Sequence, residues 1–532
     1  MDNRRVMSSP TSTWTPLRHP AFRGLWISGG IYFLGNAMHT MAVSWLMVQT
    51  TRSSFLAALV QTAAFLPMFL LSLPAGVLAD ITDRRRLIVV SLAVYAVAAL
   101  VLTGLAAAHL AGPVTLLAFT FVMGACTALQ SPAWNSAVSD TIERNELPQA
   151  ITMIAVAFNG ARALGPALAG VVFAFAGSSV VFGLAVASAL VMMQAVRRWP
   201  PRPHPPRKLP PERLWGGMLS GLRYARHSQN ILAQLVRTVA FSANGSALWA
   251  LLPFIAARQL GLGAAGFGLL MGCLGGGAVA AGFFIATLRV RLGLDRLANG
   301  CCIVFAGVTL IAALSGSRPL VYAALVAGGA AWMAMMSTLN AATQTSAPLW
   351  VRARATSMHT LCALGSFAIG SAVWGAISGI VGLPLTLCAA ATGMAASVLL
   401  ARPFPLRMGA ESEVTPATPW IDLFVAVEPE PQAGPVAVEI AYRIHAAEAA
   451  SFLDAVELLR VPRQRDGATF WRVYRDLGDP TRYVERFIVG SWADYLRQRE
   501  RAIVADQGRE ARVRAFQAVG VPVQMQHYIA EL

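Results

Sequence analysis

Between residues 24 and 402 the chain is a succession of long apolar stretches parted by short polar connections. A hydrocarbon core ~30 Å thick is crossed by ~20 apolar residues of helix. On that measure the pattern predicts twelve membrane-crossing helices, near 24–48, 54–79, 87–109, 113–137, 149–173, 177–196, 231–256, 265–288, 297–315, 319–343, 354–379 and 383–402. With a cytoplasmic N-terminus, the inner connections hold 23 basic residues, among them Arg4, Arg5, Arg144 and the run Arg84 to Arg86. The outer ones hold Arg52, Arg258 and Arg318. Basic residues resist translocation, so both termini are expected in the cytoplasm and the chain in the cell inner membrane. The polar leader from Met1 to Arg23 has no small-residue cleavage site and runs into a full-length span, which is expected to serve as its own insertion signal.

Two interruptions divide the chain. Pro200, Pro201, Pro205, Pro206, Pro210 and Pro211 bar a helix interior, so the region 197–230 is expected to join two six-helix halves, 24–196 and 231–402. Its end, 214–230, reads as an amphipathic helix at the inner surface. After residue 402 the apolar runs stop. Residues 403–435, rich in Pro, Glu and Ala, read as a flexible linker. From Val436 the period becomes that of a soluble domain: Val436, Val438, Ile440, Tyr442 and Ile444 alternate along a strand. A helix follows over 446–460, strands over 468–475 and 482–490, helical sequence over 492–514 and a strand over 523–530. That order predicts a ferredoxin-like α+β domain over 436–532. The two membrane halves also match each other at an offset of 205 residues, which pairs Gly124 with Gly329, Asn135 with Asn340, Met153 with Met358, Gly160 with Gly365 and Gly165 with Gly370. A duplicated unit of six helices is the expectation.

Composition then excludes several classes. Of 532 residues, 56% are hydrophobic and 13% charged, too apolar for a soluble protein. The net charge of +16 does not mark a nucleic-acid binder: residues 1–410 carry +20 and the remainder −4, so the excess belongs to the membrane part. The six cysteines lie in apolar segments without metal-ligand or Cys-x-x-Cys spacing, and read as packing residues. No Gly-x-x-x-x-Gly-Lys loop is present, so ATP-driven transport by this chain is not expected. No metal or cofactor is expected either.

The segment from Gly76 through Asp80, Asp83, Arg84, Arg85 and Arg86 joins the second and third spans. Gly76 reads as a point of close helix approach, Asp80 as a carboxylate able to meet an Arg or a helix N-terminus, and the arginines as a cytoplasmic marker. It resembles the gating loop of major facilitator superfamily transporters, with Ile81 and Asp83 departing from the usual Arg and Gly. Asp83 looks like the branch that includes the enterobactin-type exporter and the transmembrane secretion effectors. A loop that only sets topology is the plainer reading. In the fifth span, Gly160, Gly165, Pro166 and Gly170 resemble the antiporter motif of proton-coupled exporters, and otherwise read as ordinary small-residue packing. The C-terminal domain resembles the dimeric α/β-barrel domains of small antibiotic-biosynthesis-type monooxygenases, which implies dimerisation through it.

Arg162 is the most informative charge. A mid-span Arg costs ~2.5–3.5 kcal/mol to insert, so it should face a wet cavity or a partner. Either it holds an anionic substrate group, or it is structural, bonded to Asn135 or Asp140 or reaching the inner surface. Arg237 is expected near the inner interface. Asn36, Gln130, Asn135, Asn340 and Gln344 are further substrate-binding candidates, each equally readable as an interhelical bond. No Asp or Glu falls at mid-span, which leaves His39, His359, Asp80 and Asp140 as proton-coupling candidates and disfavours a lipophilic cation as cargo. The expectation is a secondary active transporter that exports a small molecule, anionic or siderophore-like, by proton-coupled alternating access, and that is not an enzyme. A broad drug efflux pump is the alternative. A membrane-anchored binding or monooxygenase-like protein acting through the C-terminal domain, where Trp471, Tyr474, Tyr483, Phe487, Trp492 and His527 would line a pocket, is the second.

Overall fold

The computed structural model describes residues 14–143, 146–199, 214–417, 425 and 427–531, with the backbone alone at 73, 77, 80, 81 and 214–220. Arg4, Arg5, Arg144, the segment Pro200 to Arg213 and the side chain of Asp80 lie outside the described residues. The membrane helices are α1 Pro20–Thr50, α2 Ser54–Ile81, α3 Arg84–Ala107, α4 Pro113–Ser139, α5 Leu147–Arg198, α7 Gln229–Phe254, α8 Ala264–Leu292, α9 Leu294–Leu314, α10 Arg318–Ser346, α11 Leu349–Val381 and α12 Leu383–Ala396, with α6 Leu214–His227 before α7. Eleven helices among the described residues are long and apolar enough to cross a membrane. The twelfth expected span is inside α5, whose 52 residues hold Gly177 at φ +80° and ψ 176°. That conformation suits glycine and breaks the helix, so the predicted fifth and sixth spans lie on its two sides.

The chain forms two compact units, one of Met1–Arg207, Arg237–Thr338 and Leu361–Ala401, the other of Lys208–Val236, Leu339–Thr360 and Arg402–Leu532. In the first, the offset of 205 residues has a structural meaning. A Cβ on Gly165 of α5 would lie 2.7 Å from Ala37 of α1, and one on Gly370 of α11 would lie 2.7 Å from the Ala243 carbonyl of α7. Gly124 packs on the Ala64 carbonyl of α2 and Gly329 on that of Leu274 in α8. Matched glycines thus hold matched helix pairs at the distance only a missing side chain permits.

The halves meet where glycines line up. Gly170 of α5 faces Ala264 and Gly268 of α8, and Gly275 faces Ala163. On the other side Gly375 of α11 packs on Ala58 of α2, and Thr62 Oγ1 donates to the Ala368 carbonyl at 2.8 Å. These contacts sit in the middle of the bundle and at the end away from Arg84 to Arg86. Toward the basic end, a Cβ on Gly160 or Gly282 would meet nothing within 4 Å. The glycine contacts between α5 and α8 thus lie in the middle of the pair and at the end away from the basic loop.

Two expectations are corrected here. Gly76 has nothing within 4 Å of its Cβ position, so it is not a point of close helix approach, and Gly160 has the same open surroundings. What orders the basic loop is Asp83, whose carboxylate caps α3 by accepting from the Arg85 and Arg86 amides at 2.8 and 3.2 Å. Arg84 pairs with Asp140 at the end of α4 at 2.8 Å, and Arg85 donates to the Arg197 carbonyl.

The second unit holds the C-terminal domain: α13 Glu411–Val414, β1 Val436–Arg443, α14 Ala449–Glu457, α15 Arg460–Asp466, β2 Phe470–Arg475, β3 Arg482–Val489, α16 Trp492–Glu500, α17 Val504–Arg514 and β4 Gln524–Ile529. Its sheet is wholly antiparallel in the order β2-β3-β1-β4, as a βαββαβ chain predicts. Val436, Val438, Ile440 and Tyr442 point into the core with Phe452, Trp471, Phe487 and Trp492. Tyr474 is exposed, so the aromatic set singled out in the sequence is mostly core. At the centre Glu485, 0% exposed, accepts from Arg463 Nε at 3.1 Å, Trp471 Nε1 at 3.0 Å and Tyr442 at 3.2 Å. Residues 406–417 depart from the flexible linker expected of them. Ser346 of α10 bonds the backbone of Gly409 at 3.0 Å, and Ala417 and Thr415 pair with Ala502 and Val504.

Candidate functional site

Arg162 lies midway between the start of α5 and the break at Gly177, and its surface is exposed. Neither carboxylate nor amide takes its charge among the described residues: Asp140 is engaged by Arg84, and Asn135 uses only its backbone carbonyl, toward Ser139. What surrounds the guanidinium is aromatic. It sits 5.9 Å from the ring centre of Phe158 and 5.7 Å from that of Trp249 on α7, in the opposite half. Such contacts offset part of the cost of a desolvated cation without neutralising it. The Trp249 indole N–H has no acceptor among the described residues, so the place holds unmet donors on both walls.

The aromatic surroundings extend across the bundle. Phe158 meets Phe33 edge-on at 5.3 Å. Trp249 meets Trp332 of α10 at 5.7 Å, Trp332 meets Phe367 of α11 at 5.8 Å, and Phe367 meets Phe65 of α2 at 5.0 Å. Six helices therefore contribute to one chain of rings interrupted by a single cation. Sequence reasoning singled out Arg162 and missed the rings. The signal was within reach, since the 205-residue offset carries Arg162 onto Phe367.

The other candidates fall elsewhere. Asn36 accepts from Tyr95 at 3.1 Å, beside the Tyr32–Thr127 bond at 3.0 Å, and Gln130 is buried in the same polar group. Asn36 thus takes the interhelical of its two readings, while the buried Gln130 Oε1 has no partner among the described residues. Asn135 is exposed, and Gln344 donates to Asn340 on its own helix. His39 is 2% exposed against Phe182 with neither ring nitrogen bonded among the described residues, and His359 is buried. Gly165, Pro166 and Gly170 face α1 and α8, whereas Gly160 does not pack. Arg237 is 2% exposed and paired, bonded to Asp295 at 2.6 Å and to Asn299.

Two pseudo-equivalent six-helix halves around a ring-walled charge define a membrane transporter of the major facilitator type. Residues 11–532 match the model of the transmembrane secretion effectors, and the chain belongs to that family. A Staphyloferrin A transporter of Staphylococcus aureus (strain NCTC 8325 / PS 47) is 26% identical over 148 residues, which are 28% of this chain and 37% of that protein. The match thus spans little more than a third of that relative. Among solved structures, a bacterial homolog of the human lysosomal transporter Spinster, inward-facing and unoccupied, aligns with a TM-score of 0.56 at 15% identity, over 73% of this chain and 95% of that one. The nucleoside transporter NupG aligns at 0.57 and 14% identity, over 72% and 98%. A D-xylose–proton symporter aligns at 0.56 and 11%, over 73% and 97%. At these identities the likeness is one of fold.

Proposed function

We propose that this transporter exports a small organic anion with conjugated or aromatic groups, siderophore-like in chemistry, from the cytoplasm across the inner membrane by proton-coupled alternating access. The observation that carries the reading is Arg162: an exposed guanidinium at mid-span with aromatic walls and no carboxylate among the described residues. An anionic cargo supplies the charge that the protein withholds, and its rings stack on Phe158 and Trp249. A cationic drug would meet repulsion there. The relative's name, a transporter of Staphyloferrin A, points to the same cargo class. For the proton, Asp140 fits better than His39, which is sealed. Asp140 pairs with Arg84 and so joins α4 to α3 at the basic end.

The test is uptake of catecholate and hydroxycarboxylate siderophores, and of cationic dyes, into inverted vesicles with the proton gradient intact or collapsed. Gradient-dependent uptake of an anion that disappears in Arg162→Ala is the expected result. Dye uptake indifferent to Arg162 would overturn the assignment in favour of a drug pump.

A further inference from the structure

The offset of 205 residues carries the basic loop before α3 onto the end of α8, and the two copies differ in one respect. Arg84 and Arg86 return as Arg289 and Arg291, whereas Asp80, Asp83 and Asp140 become Ile285, Leu288 and Thr345. The second copy has kept these arginines and lost the carboxylates. Arg84 pairs with Asp140 at 2.8 Å. Arg289 is half-buried, no carboxylate pairs with it among the described residues, and its buried Nε finds no acceptor there. Asp295, the next acid along the chain, is taken by Arg237. A buried guanidinium nitrogen without an acceptor is a cost to the fold.

Arg289 also stands on a particular face. Gly268 of α8 packs on the Pro166 carbonyl and Gly170 of α5, Gly272 packs on Ala167, and Gly275 on Ala163. Steps of seven residues, close to two turns, return to one face of a helix. Gly268, Gly275, Gly282 and Arg289 therefore form one line along the side of α8 that faces α5. Ala163 adjoins Arg162, so this line leads from the level of Arg162 to Arg289, about 21 Å further toward the basic end. Two cations lie along it, and neither meets a carboxylate among the described residues. Cations in series along a wall of low dielectric raise the local concentration of anions and draw them inward.

We propose that Arg289 is the capture residue for the anionic group of the cargo: it draws that group to the basic end of the α5–α8 face, from which it passes to Arg162. This role rests on the anionic cargo proposed above, whereas the potential it requires is measured without any cargo.

Gly282→Cys places a thiol in open surroundings on the same line, with the Arg289 side chain leaning back toward it. Its rates of modification by a negatively and a positively charged methanethiosulfonate, in nanodiscs of phosphatidylcholine, report the local potential, and the chain with its six native cysteines alone supplies the blank. The ratio of anionic to cationic rate should fall about fivefold in Arg289→Gln at low salt, and the difference should shrink at about 0.5 M salt. Arg289→Lys should keep the ratio, and Arg291→Gln, exposed on another side of α8, should change it little. In inverted vesicles Arg289→Gln should raise KM for an anionic siderophore about fivefold at low salt with kcat retained. The capture role is overturned by a ratio indifferent to Arg289, by an equal fall in Arg291→Gln, by a thiol that neither reagent reaches in the folded protein, or by a KM that does not move. It is overturned as well if phosphatidylglycerol in the nanodiscs abolishes the difference, since a lipid phosphate then holds Arg289. Absence of anion uptake by the native chain would overturn the cargo reading instead, and the labelling ratio decides the charge at Arg289 separately.

Discussion

Arg162 and Arg237 stand well inside membrane helices, one in each half, and they are opposites. Arg237 in α7 is sealed and spends its donors on Asp295 and Asn299. Arg162 in α5 is exposed and, among the described residues, meets only the faces of Phe158 and Trp249. Since a cation within a bilayer is costly wherever it stands, a protein keeps one in a span for a reason, and its partners identify the reason. A charge that the fold has neutralised is a fastener. One left with its valence open fits the binding role proposed for Arg162.

The largest expected effect breaks the second arginine. Arg162→Ala should lower uptake of an anionic siderophore in vesicles by about tenfold to a hundredfold, the worth of one charge-assisted hydrogen bond, with folded yield unchanged. Arg162→Lys should recover only part of the rate, because a point charge cannot fork toward a carboxylate. The first arginine should fail in the opposite manner. Arg237→Met should lower thermal stability in detergent by up to about 3 kcal/mol, the exposure of Asp295 keeping it at the lower end for a broken buried pair, while transport per folded molecule persists. Trp249→Leu sharpens the contrast. It should weaken apparent affinity for aromatic anions about threefold to tenfold and leave an aliphatic carboxylate nearly untouched, read as KM in the same vesicles. The smallest effect is expected at Gly160→Ala, within about 0.5 kcal/mol, because its Cβ meets open space; Gly170→Ala, facing Ala264 and Gly268, should cost several times more in the same melting assay.

The helices were legible because membrane spans announce themselves by composition alone, and the break at Gly177 falls where that reading parts 149–173 from 177–196. The strand order of the C-terminal domain was legible from alternation, although α15 was not, since Arg460 to Asp466 has no apolar face to give a period. Arg162 stood out because charge is rare at mid-span. The rings around it did not, because Phe and Trp are ordinary in apolar helices and only the folded bundle shows which of them share a wall. Gly76 and Gly160 misled for the converse reason: a glycine in a motif says that a side chain is missing, but what fills the gap is a property of the neighbours.

The 205-residue offset sets a cation against a phenyl ring, Arg162 in the first half and Phe367 in the second. An anion bound as proposed would therefore be held by unequal means, one wall acting through a charge with long reach and the other through a surface that acts only on contact. Were the halves to rock apart, such a cargo would stay with the first as its passenger. The second half would then be the door, its departure uncovering the ligand without having to pull it free.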